Sequence, residues 1–136
     1  MEAKFSKQVH DILNYSREEA IRLNNDYLGV EHLFLGILRE SNSMASKILS
    51  KLNISLSEIK KNIELVIKRN ENTIKKSKLS NIDITKQLDR VLKLTYLESK
   101  DFKSTNIESE HLLLAILRQE ENYVAKLLNE KKIDYT

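Results

Sequence analysis

The chain of 136 residues contains no cysteine, no proline and no tryptophan, and only two glycines. Without cysteine there is no disulfide framework and no thiolate metal site, which fits a reducing compartment and makes the cytoplasm the expected location. Hairpins and tight turns draw on Gly and Pro, so a fold of many short strands is not expected. Gly29 and Gly36 do not belong to a G-x-x-x-x-G-K-[ST] phosphate loop, so no nucleotide chemistry is expected of this chain. No run approaches the roughly 20 apolar residues of a membrane span, and the start, Met-Glu-Ala-Lys-Phe-Ser-Lys, lacks the apolar region of a secretory signal.

What is present is ordinary for one globular domain: 40% hydrophobic residues, 32% charged ones and a net charge of +3. Much of the basic excess lies in one stretch, where Lys68, Arg69, Lys75, Lys76 and Lys78 face only Glu71. Such a run reads as a solvated linker in preference to a nucleic-acid patch.

Sliding the chain on itself aligns Glu31-His32-Leu33-Phe34-Leu35-Gly36-Ile37-Leu38-Arg39 with Glu110-His111-Leu112-Leu113-Leu114-Ala115-Ile116-Leu117-Arg118, an offset of 79. Residues 5–54 and 84–133 then match without a gap at 14 of 50 positions, against roughly 3 by chance, the mark of an internal duplication. Phe5, Val9, Ile12, Leu13, Ser16, Ala20 and Leu23 lie at steps of three and four, and Ile84, Leu88, Val91, Leu92, Thr95, Ser99 and Phe102 repeat that stripe. Each copy therefore opens with a long amphipathic helix, with Ser6 or Thr85 at its N-cap. A second helix is expected over 30–40 and 109–119, a third over 43–52 and 123–131. A fourth follows the capping box Ser55-Leu56-Ser57-Glu58 in the first copy.

The expected architecture is all-α: two tandem four-helix repeats packed with pseudo-twofold symmetry, without strand in either segment. Repeat one covers 5–69, a linker 70–81, and repeat two 82–136, whose fourth helix is truncated or absent. His32 and His111 do not form the two-turn H-E-x-x-H arrangement of a zinc site and read as capping or packing residues. Three histidines and no strained Gly-x-Ser-x-Gly elbow argue against a hydrolase. Tyr15, Tyr27, Tyr96, Phe34 and Phe102 read as packing residues. Arg39 and Arg118 close their helices and are expected to cap the negative ends. Glu31 and Glu110 sit at helix starts, where a carboxylate suits the dipole. Beside free N–H groups it can also grip a cationic group that carries an anion.

Glu18-Glu19-Ala20-x-x-Leu23, then Tyr27-Leu28-Gly29-Val30-Glu31-His32-Leu33-x-Leu35-Gly36-Ile37-Leu38-Arg39-Glu40 and its diverged second copy, resemble the Clp N-terminal repeat domain. The resemblance is greatest to the domain carried by ClpC-type AAA+ unfoldases. It implies a non-catalytic domain without cofactor or metal that receives protein substrates and adaptor proteins for an ATP-driven unfoldase feeding the ClpP peptidase. It implies a monomer when isolated, with no nucleic-acid or membrane partner. The alternative is a free-standing accessory protein that docks on a Clp protease core. The resemblance also implies phosphoarginine recognition once per repeat, through the helix-start hydroxyls of Ser6 and Thr85 and the carboxylates of Glu31 and Glu110. The family usually reads Gly-Thr-Glu-His where this chain has Gly29-Val30-Glu31-His32 and Glu108-Ser109-Glu110-His111. Two unequal sites are therefore expected: Ser6 with Glu31 as the stronger, and Thr85 with Glu110, with the hydroxyl retained at Ser109, as the weaker.

Overall fold

The computed structural model describes residues 4–40, 43–52, 56–69, 83–101, 106–119 and 122–130. Helices α1 (Lys7–Arg22), α2 (Val30–Arg39), α3 (Met44–Lys51) and α4 (Leu56–Arg69) are followed by α5 (Lys86–Asp101), α6 (Ser109–Arg118) and α7 (Tyr123–Glu130). Adding 79 to the bounds of α1, α2 and α3 reproduces those of α5, α6 and α7. The linker, Ser55 of the capping box, Phe102, and the residues where a fourth helix of repeat two would begin lie outside the described residues.

Helices α2 and α6 form the centre. Nearly every side chain of α2 from Val30 to Ile37 is buried, as are seven of α6, the pattern of a helix covered on all sides. Within each repeat α1 crosses α2 and α5 crosses α6, while α3 packs on α6 and α7 on α2. Exchanging the repeats maps each of these cross-contacts onto the other, as a twofold requires. Helix α4 rests on α2 through the buried Ile59, Ile63 and Ile67.

At the α1–α2 crossing the backbones come very close. A β-carbon on Gly36 would lie 2.4 Å from Ser16 Oγ and 2.6 Å from the Ile12 carbonyl oxygen. Ser16 is also turned back onto its own helix, donating to Ile12 O at 2.7 Å, as Thr95 does to Val91 O at 2.7 Å in repeat two. Repeat two carries Ala115 where repeat one has Gly36.

The expectation of strand-free segments is corrected. Among the described residues are four two-residue strands: β1 (Lys4–Phe5), β2 (Tyr27–Leu28), β3 (Asp83–Ile84) and β4 (Asn106–Ile107). They pair in parallel across the repeats, β1 with β4 and β2 with β3. Each ladder is extended by one equivalent bond, Ser6 N–H to Ile107 O and Thr85 N–H to Leu28 O, both 2.9 Å. The backbone just ahead of a helix has no helical partner of its own, and here the other repeat supplies one. Parallel pairs need no hairpin, so the scarcity of Gly and Pro does not exclude them. With two residues per strand, the molecule remains an all-α fold.

Candidate ligand-binding helix starts

The side chains that open α1 and α5 act as N-caps. Ser6 Oγ accepts from the Val9 N–H at 3.2 Å, and Thr85 Oγ1 accepts from the Leu88 N–H at 3.1 Å. A hydroxyl that accepts in this way still has its own proton to donate.

The strand pairs decide what each hydroxyl faces. Thr85 lies against the start of α2: its methyl Cγ2 is 3.7 Å from the position a β-carbon on Gly29 would take. Ser6 is tied instead to Ile107, the residue before the N-cap of α6. The expected grouping of Ser6 with Glu31 and Thr85 with Glu110 is therefore corrected. Thr85 joins Gly29 and Glu31 at one end, and Ser6 joins Glu108 and Glu110 at the other. Each candidate site is built from both repeats, because the parallel ladders swap the helix starts between them.

At the start of α2 the missing side chain of Gly29 is filled by a neighbour. Glu31 Oε2 lies 2.8 Å from where that β-carbon would be. Burial pushes the Glu31 carboxyl above the usual carboxylate range, and a bond from its own backbone N–H partly opposes this. At the start of α6, Glu108 takes the place of Gly29, and its β-carbon claims the equivalent volume. The Glu110 Oε1 is buried and has no hydrogen-bond partner among the described residues.

His32 and His111 are capping residues, as their motif suggests. His32 Nδ1 accepts from the Gly29 N–H at 2.9 Å, and His111 Nδ1 accepts from the Glu108 N–H at 2.9 Å. On the far side of the His32 ring, Nε2 lies 2.7 Å from Asn25 Oδ1, so the neutral ring donates there. Burial lowers its pKa to about 4, with Glu19 pulling weakly the other way. The edge of the ring meets Tyr27 with centroids 5.2 Å apart. Asn25 was not among the residues picked out from sequence, since nothing in its neighbourhood signals a partner seven positions on.

Two further expectations change. The Ser109 hydroxyl is buried and accepts from the Ala45 N–H at 3.0 Å, so it joins α6 to α3 and is not presented to a ligand. Arg39 does not simply cap α2. Its guanidinium reaches Glu18 at 3.2 Å and Glu19 at 3.5 Å and lies 4.4 Å above the centroid of the Tyr15 ring, all on α1. Glu19 is itself buried and also holds Arg22, whose other partner is Glu64 on α4. Among the described residues no three His, Cys, Asp or Glu side chains gather to hold a metal, and no helix is long and apolar enough to cross a membrane.

Two helical units with exchanged contacts, each presenting an acidic helix start near a hydroxyl of the other, define a duplicated all-α domain. The Clp repeat (R) N-terminal domain model matches residues 4–131, and the chain belongs to that family. It is 30% identical over 129 residues to the chaperone protein ClpB of Oceanobacillus iheyensis, covering 95% of this chain and 15% of that protein. Identity, length and coverage are the same for the negative regulator of genetic competence ClpC/MecB of Bacillus subtilis. The chain thus spans about a seventh of the length of these relatives. Among solved structures, the N-terminal domain of ClpD from Arabidopsis thaliana superposes with a TM-score of 0.74 at 17% identity, over 97% of this chain and 87% of that one. The N-domain of ClpV from Vibrio cholerae gives 0.77 at 16% identity, over 93% and 76%. At these identities the two structures establish the fold.

Proposed function

We propose that this chain is the substrate- and adaptor-recognition domain of a cytoplasmic, ATP-dependent Clp unfoldase that feeds the ClpP peptidase, and that it reads phosphoarginine on its clients. One observation carries the reading: each repeat sets its helix-start hydroxyl beside the acidic helix start of the other. At the α2 end, a guanidinium would donate to the Glu31 carboxylate. The phosphoryl oxygens would accept from the first-turn N–H groups of α2 and from the Thr85 hydroxyl proton. At the α6 end, Ser6, Glu108 and Glu110 form the counterpart. There the extra carboxylate of Glu108 opposes a phosphoryl group by on the order of 1 to 4 kcal/mol before salt screening.

Titration of the chain with free phosphoarginine, followed through amide NMR signals, tests this. Signals of Gly29, Glu31 and Thr85 should move at lower ligand concentration than those of Ser6 and Glu110. Glu31→Ala should abolish the tighter event, and Glu108→Gly should strengthen the weaker one. Equal affinities, or no shift at either end up to millimolar ligand, would sink the phosphoarginine reading. The purified chain should show no ATPase or peptidase turnover; saturable turnover removed by a point substitution would contradict a recognition role. The alternative, an accessory protein docking on a Clp protease core, is separated by the reading frame after Thr136. An ATPase motif there supports the unfoldase, and a stop codon supports the accessory protein.

A further inference from the structure

We infer that His32 is a positioning residue for ligand binding at the start of α2: by taking up the Gly29 N–H while anchored to Asn25, its ring sets which backbone N–H groups face a ligand. This rests on the reading that the start of α2 is a ligand site.

The ring bridges two structural elements. Its Nε2 meets Asn25 Oδ1 at 2.7 Å and its Nδ1 receives the Gly29 N–H at 2.9 Å, with the whole residue buried. Asn25 is fixed by the way α1 ends. Asn24 adopts a left-handed φ of 61°, its N–H bonds to Ile21 O at 3.0 Å, and the Asn25 N–H bonds to Ala20 O at 2.8 Å. This is the paired closure that stops a helix in a defined direction. The end of α1 is thereby clamped to the start of α2 through one imidazole.

The clamp has a consequence for an incoming anion. A helix start presents several N–H groups that have no intrahelical acceptor. At α2 the Gly29 N–H is occupied by His32 Nδ1, and the Leu33 N–H already bonds to Gly29 O at 3.1 Å. The first-turn N–H groups of 30–32 are the ones without such an acceptor, save that of Glu31, which bonds to its own carboxylate where that folds over Gly29. Without an acceptor at Nδ1, the Gly29 N–H becomes a competing donor for that carboxylate, and the peptide joining β2 to α2 is free to turn. The bond itself does not depend on the residue at the N-cap: His111 makes it to Glu108 at the same 2.9 Å.

The test compares His32→Leu and His32→Gln in the full chain. A glutamine at this third helical position can return an oxygen to the N-cap N–H, whereas leucine fills the space without an acceptor. Gly29 amide exchange and phosphoarginine titration are read by NMR, with the α6 end as an internal control. In His32→Leu we expect Gly29 exchange to speed up by about tenfold or more, and affinity at the α2 end to fall by about tenfold. Chemical shifts around Glu110 should stay in place, and His32→Gln should recover most of both effects. Equal damage at both ends in His32→Leu, or faster exchange with unchanged affinity, overturns the inference, as does failure of His32→Gln to rescue. If the unmutated chain binds no phosphoarginine, the proposed ligand falls separately. Gly29 exchange then decides alone: acceleration in the Leu variant reversed in the Gln variant upholds the positioning, and unchanged exchange overturns it.

Discussion

The two glycines show how one β-carbon can be cheap at one position and costly at another. At Gly29 the atom it would meet is Glu31 Oε2, the far end of a flexible side chain. Gly29→Ala should therefore change stability by only about 0.5 kcal/mol, while displacing the carboxylate and weakening ligand binding at that end. At Gly36 the β-carbon meets the Ile12 carbonyl and the Ser16 backbone nitrogen as well as Ser16 Oγ. Gly36→Ala should cost roughly 1 to 3 kcal/mol in urea unfolding because two helices must move apart, and adding Ser16→Ala should recover only part of that, since the backbone contacts remain. His32 carries a further signature. Its pKa is about 4 in the folded chain against 6.5 ordinarily, so below 6.5 the unfolded chain binds a proton that the folded one refuses. The stability it contributes is complete above pH 6.5 and is lost as pH falls toward 4, a span of about 3 kcal/mol. Glu31 acts in the opposite sense, because its raised carboxyl pKa favours the folded chain as pH falls through it. Urea melts between pH 4.5 and 7.5 should show a falling limb on the acid side that His32→Leu flattens.

The elements follow from their capping chemistry as much as from their apolar stripes. Ser6 and Thr85 start α1 and α5, while Ser43 and Asn122 start α3 and α7, accepting from Ser46 N–H at 3.2 Å and Ala125 N–H at 2.7 Å. Replacing Thr85 by Ala should cost about 0.5 to 2 kcal/mol; Thr85→Ser, which keeps the oxygen, should restore most of it in the same thermal melts. At the far end of α1, Asn24 tolerates φ 61° because its short polar side chain suits the left-handed region. Asn24→Gly is expected to be close to neutral. Asn24→Val should cost about 1 to 2 kcal/mol and, by loosening Asn25, should raise the exchange rate of the Gly29 amide as well.

The whole molecule is held as one unit by contacts that cross between the repeats. The ladders pair β1 with β4 and β2 with β3, and Ser109 Oγ caps the Ala45 N–H of α3. Ser109→Ala leaves that buried N–H without an acceptor and should cost about 1 to 3 kcal/mol. Since no repeat completes its own helix starts, unfolding in urea should remain a single transition in this variant, with fluorescence and circular dichroism coincident. Two separated transitions would show that the repeats fold independently.

Residue order alone determined the duplication, the helices and their bounds to within a residue or two. A 3.6-residue stripe repeated at a fixed offset has few other physical explanations, and hydroxyls and carboxylates at helix starts act over three or four positions of local chain. The capping role of His32 and His111 lies within that range, since the acceptor and the N–H are three residues apart. Only tertiary structure decided which hydroxyl meets which carboxylate. Ser6 and Glu108 are separated by 102 positions and Thr85 and Gly29 by 56, and the parallel strand pairs that unite them carry no turn, spacing or periodicity to announce them. The fate of Ser109 was decided in the same way: its hydroxyl reads as a ligand group beside Glu110, but packing α3 against α6 brings the Ala45 N–H to it first, and a buried donor must be satisfied.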